Sequence, residues 1–355
     1  MKIALSPLTP ALIALGALGG WAASHTPLPL PWLLGSLIAV GAAAALARAR
    51  LPADYRFPMK LRTVFIAVIG LMIGGQVDAA LLGKAPFLLL SLGLLTLFTI
   101  GALGLNYLIF RRIGGYDKPT AFFCAAPGGL MESLALGEAA GADIPRLTIQ
   151  QFLRIILVVS LLPLGISVIE GIPVGSAAGL GLGPPDGPGI NPLRLAFYAA
   201  LGGAGYLAGR MLRLPAAQLT GPLVAAALAN LAGYGPVTLP GWLVIAAQVV
   251  VGSSLGARFL GVTGRVLAEA FRLGLLSVGA MLALAALCAA LLRQATGVPF
   301  DVLLISFAPG GVTEMSLVAL SLQASPAYVT LHHLYRILLT VLLLGMIGRN
   351  WRKAP

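Results

Sequence analysis

Two short blocks with the same design hold the residues best suited to chemistry in this sequence. Proline and glycine in succession break a helix, and a helix that starts after the break presents free N–H groups that attract an anion. A tight hairpin that only packs two parts of the chain is the alternative, but the recurrence of the block favours a binding site. The blocks read Ala126-Pro127-Gly128-Gly129-Leu130-Met131-Glu132 and Ala308-Pro309-Gly310-Gly311-Val312-Thr313-Glu314.

Each block ends on a carboxylate, Glu132 or Glu314, three residues after its second glycine. An isolated carboxylate costs about 2.5 kcal/mol or more in an apolar surrounding, so binding of a cation or a proton is one interpretation. The other is a first-turn carboxylate that satisfies the N-terminus of its own helix. The two interpretations do not exclude each other, and both stay open.

An arginine follows each block inside a long apolar stretch, Arg154 after the first and Arg336 after the second. A buried guanidinium needs a partner or a cavity, and arginine binds a carboxylate through two parallel hydrogen bonds. The partner is therefore an anionic solute or the nearby Glu132 or Glu314, and the sequence leaves these alternatives open.

Polar pairs precede both arginines by one helical turn. Gln150 and His332 lie four residues before their arginine, so we expect each to share its face. His332 could carry a proton, or it could be a hydrogen-bonding contact between helices. The pairs are Gln150-Gln151 and His332-His333, preceded by the hydroxyls of Thr148 and Thr330.

These matches belong to a duplication of the whole chain. Glu314 follows Glu132 by 182 residues, and Arg336 follows Arg154 by the same number. We therefore divide the chain into a first membrane repeat at 1–168, a Gly/Pro-rich linker at 169–192 and a second repeat at 193–355. Residues 1–24 resemble a signal peptide, but the segment recurs within the chain, so we expect it to be the first transmembrane helix.

Composition indicates a membrane protein. Of the 355 residues, 59% are hydrophobic and 10% are charged, whereas a soluble domain carries about 25% charged residues. The net charge of +12 fits loop cations that set orientation and meet anionic lipid, and we expect no nucleic-acid partner.

A spanning helix needs about 20 apolar residues. Apart from the two segments that carry the Pro-Gly-Gly blocks, the apolar stretches predict ten such helices. The Pro-Gly-Gly blocks lie in two further apolar segments, at 119–142 and 301–324. The ten spans are predicted near 8–24, 30–47, 61–80, 86–110, 147–168, 193–209, 215–233, 241–259, 271–292 and 328–348.

The loop arginines favour one topology. Cations concentrate on the cytoplasmic side, and most loop cations fall there only if each Pro-Gly-Gly segment enters and leaves the membrane on one side; Arg293 is the exception. The predicted fold is an all-α polytopic membrane protein with two inverted repeats. Each repeat has about five transmembrane helices plus one re-entrant segment. We expect it in the inner (plasma) membrane with both termini cytoplasmic.

Enzyme signatures are missing from the sequence. Cys124 and Cys288 lie alone in apolar stretches, and there are only three histidines, His25 among them. We find no phosphate-binding loop, zinc pattern or nucleophile triad. We therefore expect no enzyme activity, no cofactor and no metal site.

The doubled Ala-Pro-Gly-Gly-x-x-Glu block, followed by a polar pair and an arginine, resembles the bacterial AbrB-type membrane proteins over essentially the whole chain. Members of that family carry two labels, ammonia monooxygenase and regulator of gene expression. Neither label follows from these residues, because copper or iron ligands and a DNA-binding module are both lacking. The layout is also similar to the glutamate and citrate sodium symporters, which is an analogy of fold.

Inverted repeats with broken segments are typical of secondary transporters. The first hypothesis is a transporter of a small anionic solute coupled to Na⁺ or H⁺, with the blocks, Gln150, His332 and the arginines lining the site. The second is a membrane-embedded sensor that affects gene expression without transport, and the third is a membrane enzyme. The expected partners are membrane lipid, the solute and its coupling ion, and a homodimer is compatible with the sequence.

Overall fold

A computed structural model of the chain describes residues 7–46, 55–77, 85–171, 192–235, 237–260, 264–322 and 325–348. Every regular element within these residues is helical. The first repeat contains seven helices in its described part: α1 Leu8–Ala23, α2 Pro31–Leu46, α3 Met59–Gly74, α4 Ala85–Leu108, α5 Lys118–Cys124, α6 Leu130–Ala139 and α7 Ile144–Glu170.

The described part of the second repeat contains seven helices in the same order. A π-helical turn ends α4 at Ile109–Ile113, and another ends the second helix of this repeat at Asn230–Tyr234. The helices are α8 Pro192–Met211, α9 Ala217–Ala229, α10 Gly241–Gly256, α11 Gly264–Thr296, α12 Phe300–Phe307, α13 Val312–Ser321 and α14 Pro326–Gly348.

Five stretches of the described helices are long and apolar enough to cross a membrane. Leu8–Ala23 and Pro31–Leu46 are apolar but shorter; 16 residues span about 24 Å, somewhat less than a hydrocarbon core of about 30 Å. The chain is a multi-pass membrane protein, and the full count of ten spans stays a prediction. The five long stretches are Phe87–Ile113, Ile144–Ile169, Gly241–Phe259, Ala268–Thr296 and Pro326–Gly348.

The helices and the predicted spans have different bounds where an apolar stretch and a helix do not end at the same residue. The span predicted at 61–80 ends as a helix at Gly74, and residues 78–80 lie outside the described part. The span predicted at 271–292 is a longer helix, Gly264–Thr296, because its charged ends are helical although they are not apolar. Most of the predicted linker, residues 172–191, also lies outside the described residues.

By packing, the chain forms two compact units that each combine matching elements of both repeats. Unit 1 comprises Met1–Leu82, Pro163–Thr263 and Ser316–Ala327, and unit 2 comprises Gly83–Leu162, Gly264–Met315 and Tyr328–Pro355. The two packed units therefore do not coincide with the two predicted repeats. The division of the chain into repeats stays a prediction.

Unit 1 is built on close helix contacts at glycines. Helix α1 packs on α2 and α8 on α9, while α3 packs on α9 and α10 on α2. A Cβ at Gly19 would lie 2.6 Å from the carbonyl oxygen of Gly35, and one at Gly205 would lie 2.7 Å from that of Gly221. Small residues thus let the backbones of these helices approach each other, as is typical of membrane helices.

Unit 2 holds both Pro-Gly-Gly blocks. Helix α4 packs on α11, where Ser277 Oγ donates a 2.6 Å hydrogen bond to Asn106 Oδ1 in the buried contact. A buried hydrophobic cluster joins Phe122 and Phe123 of helix α5 to Phe110 and other apolar residues. Unit 2 therefore supplies a packed frame around the first block.

Candidate functional site

The first Pro-Gly-Gly block separates two short helices, as its residues predict. Asp117 caps helix α5, since its carboxylate accepts hydrogen bonds from the N–H and hydroxyl of Thr120 at 3.0 and 2.9 Å. The helix ends at Cys124, and Gly129 adopts the left-handed conformation at φ 63° just before α6. A residue with a Cβ is strained there, so this glycine sets the direction in which α6 departs.

The second block has the same design. Helix α12 ends at Phe307, the N–H of Gly310 bonds the carbonyl of Ala308 at 2.9 Å, and α13 begins at Val312. The helix break predicted at each block is therefore confirmed in the described structure. Whether either segment re-enters the membrane stays a prediction.

Matching hydrogen bonds hold the two breaks. Arg154 Nη1 donates to the carbonyl of Ala126, and Arg336 Nη1 donates to that of Ala308; both pairs are 28 residues apart. Gln151 Nε2 donates to Phe123 O at 2.8 Å, and His333 Nε2 lies 3.0 Å from Ile305 O, again with 28 residues between partners. The two repeats therefore use equivalent residues for equivalent contacts.

These contacts have a simple physical cause. The last turn of a helix leaves carbonyl groups without intrahelical partners, and a buried carbonyl without a hydrogen bond is costly where water is absent. Helices α5 and α12 end inside the protein, so their carbonyls need donors from elsewhere. The polar pair and the arginine of the following long helix supply them.

Arg336 is the more heavily bonded of the two arginines. Its Nη1 also donates to Phe307 O at 3.1 Å, and its Nη2 donates to Gly310 O at 3.1 Å and to His333 Nδ1 at 2.7 Å. Four of its five N–H groups are thus used within the described residues, whereas the Arg154 guanidinium makes one hydrogen bond there. Arg154 keeps more bonding capacity for a ligand.

The arginine contacts found in the described part of the chain involve the backbone and one histidine. Each hydrogen bond found for Arg154 and Arg336 in the described part of the chain goes to a backbone carbonyl or to His333. The ion-pair alternative therefore stays a prediction, and each guanidinium already has another kind of partner. The freed carbonyls at the breaks take that role.

Glu132 and Glu314 occupy different surroundings. Glu132 is exposed, whereas Glu314 is 3% exposed and its Oε2 lies against Gly311, at the start of α13. A Cβ at position 311 would overlap that carboxylate oxygen. The position of Glu314 over its own helix N-terminus matches the interpretation of a first-turn carboxylate.

Gln150 and His332 bond to other helices rather than to the arginines. Gln150 Nε2 donates to Tyr116 OH at 3.0 Å and to Ala270 O at 3.2 Å. His332 Nε2 bonds Ser91 Oγ on α4, and its Nδ1 lies 2.8 Å from Tyr328 O. Arg336 is instead contacted by His333, three residues before it.

Near the breaks, Arg154 Nε, Arg336 Nε and Thr340 Oγ1 are buried without a hydrogen-bond partner among the described residues, and so are the side-chain oxygens of Gln150 and Gln151. Thr340 is fully buried, and its hydroxyl lies 3.4 Å from where a Cβ of Gly128 would stand. The first break therefore lies against α14, one turn beyond Arg336. Thr340 was missed from the sequence, where its one signal is a hydroxyl within an apolar stretch.

A cavity of about 580 Å³ opens beside Gln150. Tyr116 lies on its wall and accepts the Gln150 hydrogen bond, while Arg146 and Arg272 bring positive charge and Glu269 a negative one. Burial raises the pKa of the Tyr116 hydroxyl above its usual value, and the Gln150 hydrogen bond offsets part of that effect. The cavity has apolar walls and cationic side chains, and Gln150, which bonds the lining residues Tyr116 and Ala270, lies four residues before Arg154 on α7.

Metal chemistry has little support in the described part of the chain. No three His, Cys, Asp or Glu side chains meet there as a set of metal ligands, and the buried thiols of Cys124 and Cys288 are free. Thr148 is half-buried and Thr330 is buried. The polar groups without partners in unit 2 include the Nε donors of both arginines and the acceptor oxygens of Gln150 and Gln151.

Comparison with known proteins confirms the family that the doubled motif resembles. The model of the family described as transition state regulatory protein AbrB matches residues 32–352. The chain is 25% identical over 350 residues to uncharacterized protein YhjN of Bacillus subtilis (strain 168), covering 94% of this chain and 90% of that protein. It is 26% identical over 294 residues to putative regulator AbrB of Escherichia coli (strain K12), covering 80% and 81%. The chain belongs to the AbrB family of membrane proteins.

Proposed function

We propose that this protein is a secondary transporter that carries a small anionic solute across the inner (plasma) membrane, coupled to Na⁺ or H⁺. In this proposal the two repeats are inverted, each with about five spans and one re-entrant Pro-Gly-Gly segment, and both termini are cytoplasmic. The breaks at Pro127-Gly128-Gly129 and Pro309-Gly310-Gly311 lie near the middle of the membrane. The solute binds between them.

The observation that carries the proposal is the surroundings of the two buried arginines. Arg154 is 5% exposed and Arg336 is fully buried, and the two guanidinium groups carry like charges. The hydrogen-bond partners found for them in the described structure are neutral, namely backbone carbonyls and His333. An anion bound between the guanidinium groups would offset these charges and satisfy Arg154 Nε, Arg336 Nε and Thr340 Oγ1.

The cavity beside Gln150 supports an entry route. Arg146 and Arg272 at its wall would attract an anion before it reaches Arg154. The hydrogen bonds from Gln150 to Tyr116 OH and Ala270 O would then form the barrier between cavity and arginines. Opening of that barrier is the local movement that the proposal requires.

Each of several helix contacts has a counterpart in which the two repeats are interchanged, and this supports a two-fold relation between the repeats. In unit 1, α2 packs on α10 while its counterpart α9 packs on α3. In unit 2, Gln150 of α7 bonds α11 while the equivalent His332 of α14 bonds α4. Each contact recurs with the repeats interchanged, which is the arrangement on which alternating access depends in transporters with inverted repeats. The cations of the loops favour the inverted form over a parallel one.

The remaining partners follow from the same proposal. Membrane lipid surrounds the apolar helices, and the protein acts without cofactor, nucleic acid or enzymatic turnover. A homodimer is compatible with it, since exposed apolar residues such as Leu97, Leu228 and Leu342 can face lipid or a second copy.

Thermal stability of the purified protein tests solute binding. We would measure melting temperatures with small carboxylates, amino acids and Na⁺, because a ligand that binds the folded state stabilises it by about 2.7 kcal/mol at one hundred times its Kd. The proposal expects a shift with at least one anion, which Arg154→Gln abolishes. No shift with any anion, or an equal shift in Arg154→Gln, would contradict it.

A membrane-embedded sensor is the second candidate, because one relative is named a putative regulator. A sensor would bind the same anion without moving it, and regulation would follow through a protein partner. Uptake into proteoliposomes separates the two functions, since a sensor shows binding and no uptake.

A further inference from the structure

The hydrogen bonds of His332 define one tautomer of its neutral ring. Its Nδ1 lies 2.8 Å from Tyr328 O, and a carbonyl only accepts, so Nδ1 carries the hydrogen. Its Nε2 then accepts from Ser91 Oγ, which in turn accepts from the hydroxyl of Tyr328 at 2.9 Å. The hydrogens thus run in one direction, from Tyr328 through Ser91 to the imidazole.

This chain of donors can deliver a proton. A proton taken up at the Tyr328 oxygen moves the Tyr328 hydrogen to Ser91 Oγ and the Ser91 hydrogen to Nε2. The net result is an imidazolium whose Nε2–H donates back to Ser91, with Tyr328 and Ser91 neutral again. Tyr328 is 8% exposed, whereas Ser91 and His332 are fully buried, so the hydroxyl of Tyr328 is the outer end of the chain.

The charges around His332 are positive or absent. Helix α4 contributes Ser91 and helix α12 contributes Phe307, whose ring centroid is 6.3 Å from the imidazole. On α14 its neighbours are Tyr328, His333, whose Nδ1 accepts from Arg336, and the cationic Arg336 itself. Within the described residues no carboxylate acts on the ring, so a proton on His332 adds a like charge beside Arg336.

We propose that His332 is the proton-coupling residue of the proposed transporter and that a proton and the solute anion bind together. An anion at Arg154 and Arg336 offsets the charge that opposes protonation of His332, and by linkage the proton strengthens anion binding by the same factor. The inference rests on the proposed function and chooses H⁺ over Na⁺ as its coupling ion.

The other repeat offers the reason for assigning this role to a single residue. The position equivalent to His332 is Gln150, which makes the corresponding contact with α11 but cannot take up a proton near neutral pH. His332→Gln therefore replaces the histidine by the residue that the first repeat uses. Proton coupling is expected to depend on the second repeat alone.

The test measures anion affinity against pH in the full-length protein. Glutamate and succinate are titrated by thermal shift or calorimetry between pH 6 and 9, where glutamate keeps its net charge of −1 up to the ionisation of its amine. The unaltered protein should bind more tightly as pH falls, by up to tenfold per pH unit, because one proton is taken up with each anion. In His332→Gln this dependence should be lost.

A second variant keeps the inference testable if His332→Gln does not fold. Ser91→Ala removes the hydroxyl that accepts from Nε2–H of the imidazolium, a stronger hydrogen bond than the one that the neutral ring accepts, so coupling should persist and its midpoint should move down by about half a pH unit or more. Equal pH dependence in the unaltered protein and His332→Gln, or an unmoved midpoint in Ser91→Ala, overturns the inference. An anion affinity that is independent of pH in all three proteins overturns proton coupling but does not contradict the proposed anion site. No binding of either anion by the unaltered protein overturns both proposals.

Discussion

Arg336 Nη2 donates a 2.7 Å hydrogen bond to Nδ1 of His333, one turn earlier on the same helix. Since Nδ1 accepts, the ring hydrogen is on Nε2 and is donated to Ile305 O at 3.0 Å. His333 is thus a neutral link between the arginine and the end of α12. Its role is to hold the second break, and the adjacent His332 is left for the proton.

Replacement of His333 tests this structural role. In His333→Gln the amide can donate to Ile305 O as Gln151 donates to Phe123 O, and its oxygen can accept from Arg336. We expect a small change in melting temperature for His333→Gln. His333→Leu leaves both groups unsatisfied and should cost about 1–3 kcal/mol of unfolding free energy. Thermal unfolding in detergent measures both, and equal losses would argue against the neutral link.

The two arginines should differ in what their loss removes. Arg336→Gln gives up most of four hydrogen bonds to the second break, whereas Arg154→Gln gives up one. We expect Arg336→Gln to be less stable than Arg154→Gln by about 2 kcal/mol or more, and Arg154→Gln to lose mainly anion binding. Thermal unfolding without solute compares them. A less stable Arg154→Gln would reverse the assignment.

The helix break itself can be tested at neighbouring glycines. Gly129 has φ 63° and a Cβ there would lie 3.1 Å from Val341 Cγ2, whereas a Cβ at Gly128 would make an ordinary contact of 3.4 Å with Thr340 Oγ1. Gly129→Ala should therefore lower stability by about 1–2 kcal/mol, with a smaller effect for Gly128→Ala. Paired melting curves would decide, and a greater loss at Gly128 would contradict the conformation given to the break.

Helix packing in unit 1 allows a similar comparison. A Cβ at Gly74 would overlap the carbonyl oxygen of Leu223, which is backbone and cannot move aside, whereas Gly93 on α4 has open space around it. Gly74→Ala should push α3 from α9 and destabilise the protein, while Gly93→Ala should leave stability unchanged or raise it by up to about 1 kcal/mol. Similar melting temperatures for the two variants would refute the close contact of α3 and α9.

Much of the fold could be predicted from apolar length and from the repeat. The breaks at Gly128-Gly129 and Gly310-Gly311 were predictable because proline and glycine act on the local backbone. The grouping of matching helices from both repeats into two packed units was not, since it depends on contacts between residues far apart in sequence. Neither repeat pattern nor hydropathy reports such contacts.

The candidate site was predicted by its residues but not by their partners. The spacing placed Gln150 and His332 beside the arginines, yet positions three and four residues away are both neighbours on a helix, and His333 is the residue that contacts Arg336. From the sequence, the expected partner of each arginine is a solute anion or a glutamate side chain, because a sequence shows side chains and not the folded backbone. The carbonyls that α5 and α12 leave at their ends become visible only in the folded backbone.

Uptake of radiolabelled glutamate and succinate into proteoliposomes tests the central claim most directly. The account predicts that an anion that stabilises the protein is also accumulated by it. It further predicts that Arg154→Gln reduces uptake at least tenfold, while the matched variant His333→Gln retains it. Binding without uptake would contradict transport and favour a sensor, and undiminished uptake by Arg154→Gln would remove the arginine pair from the solute path.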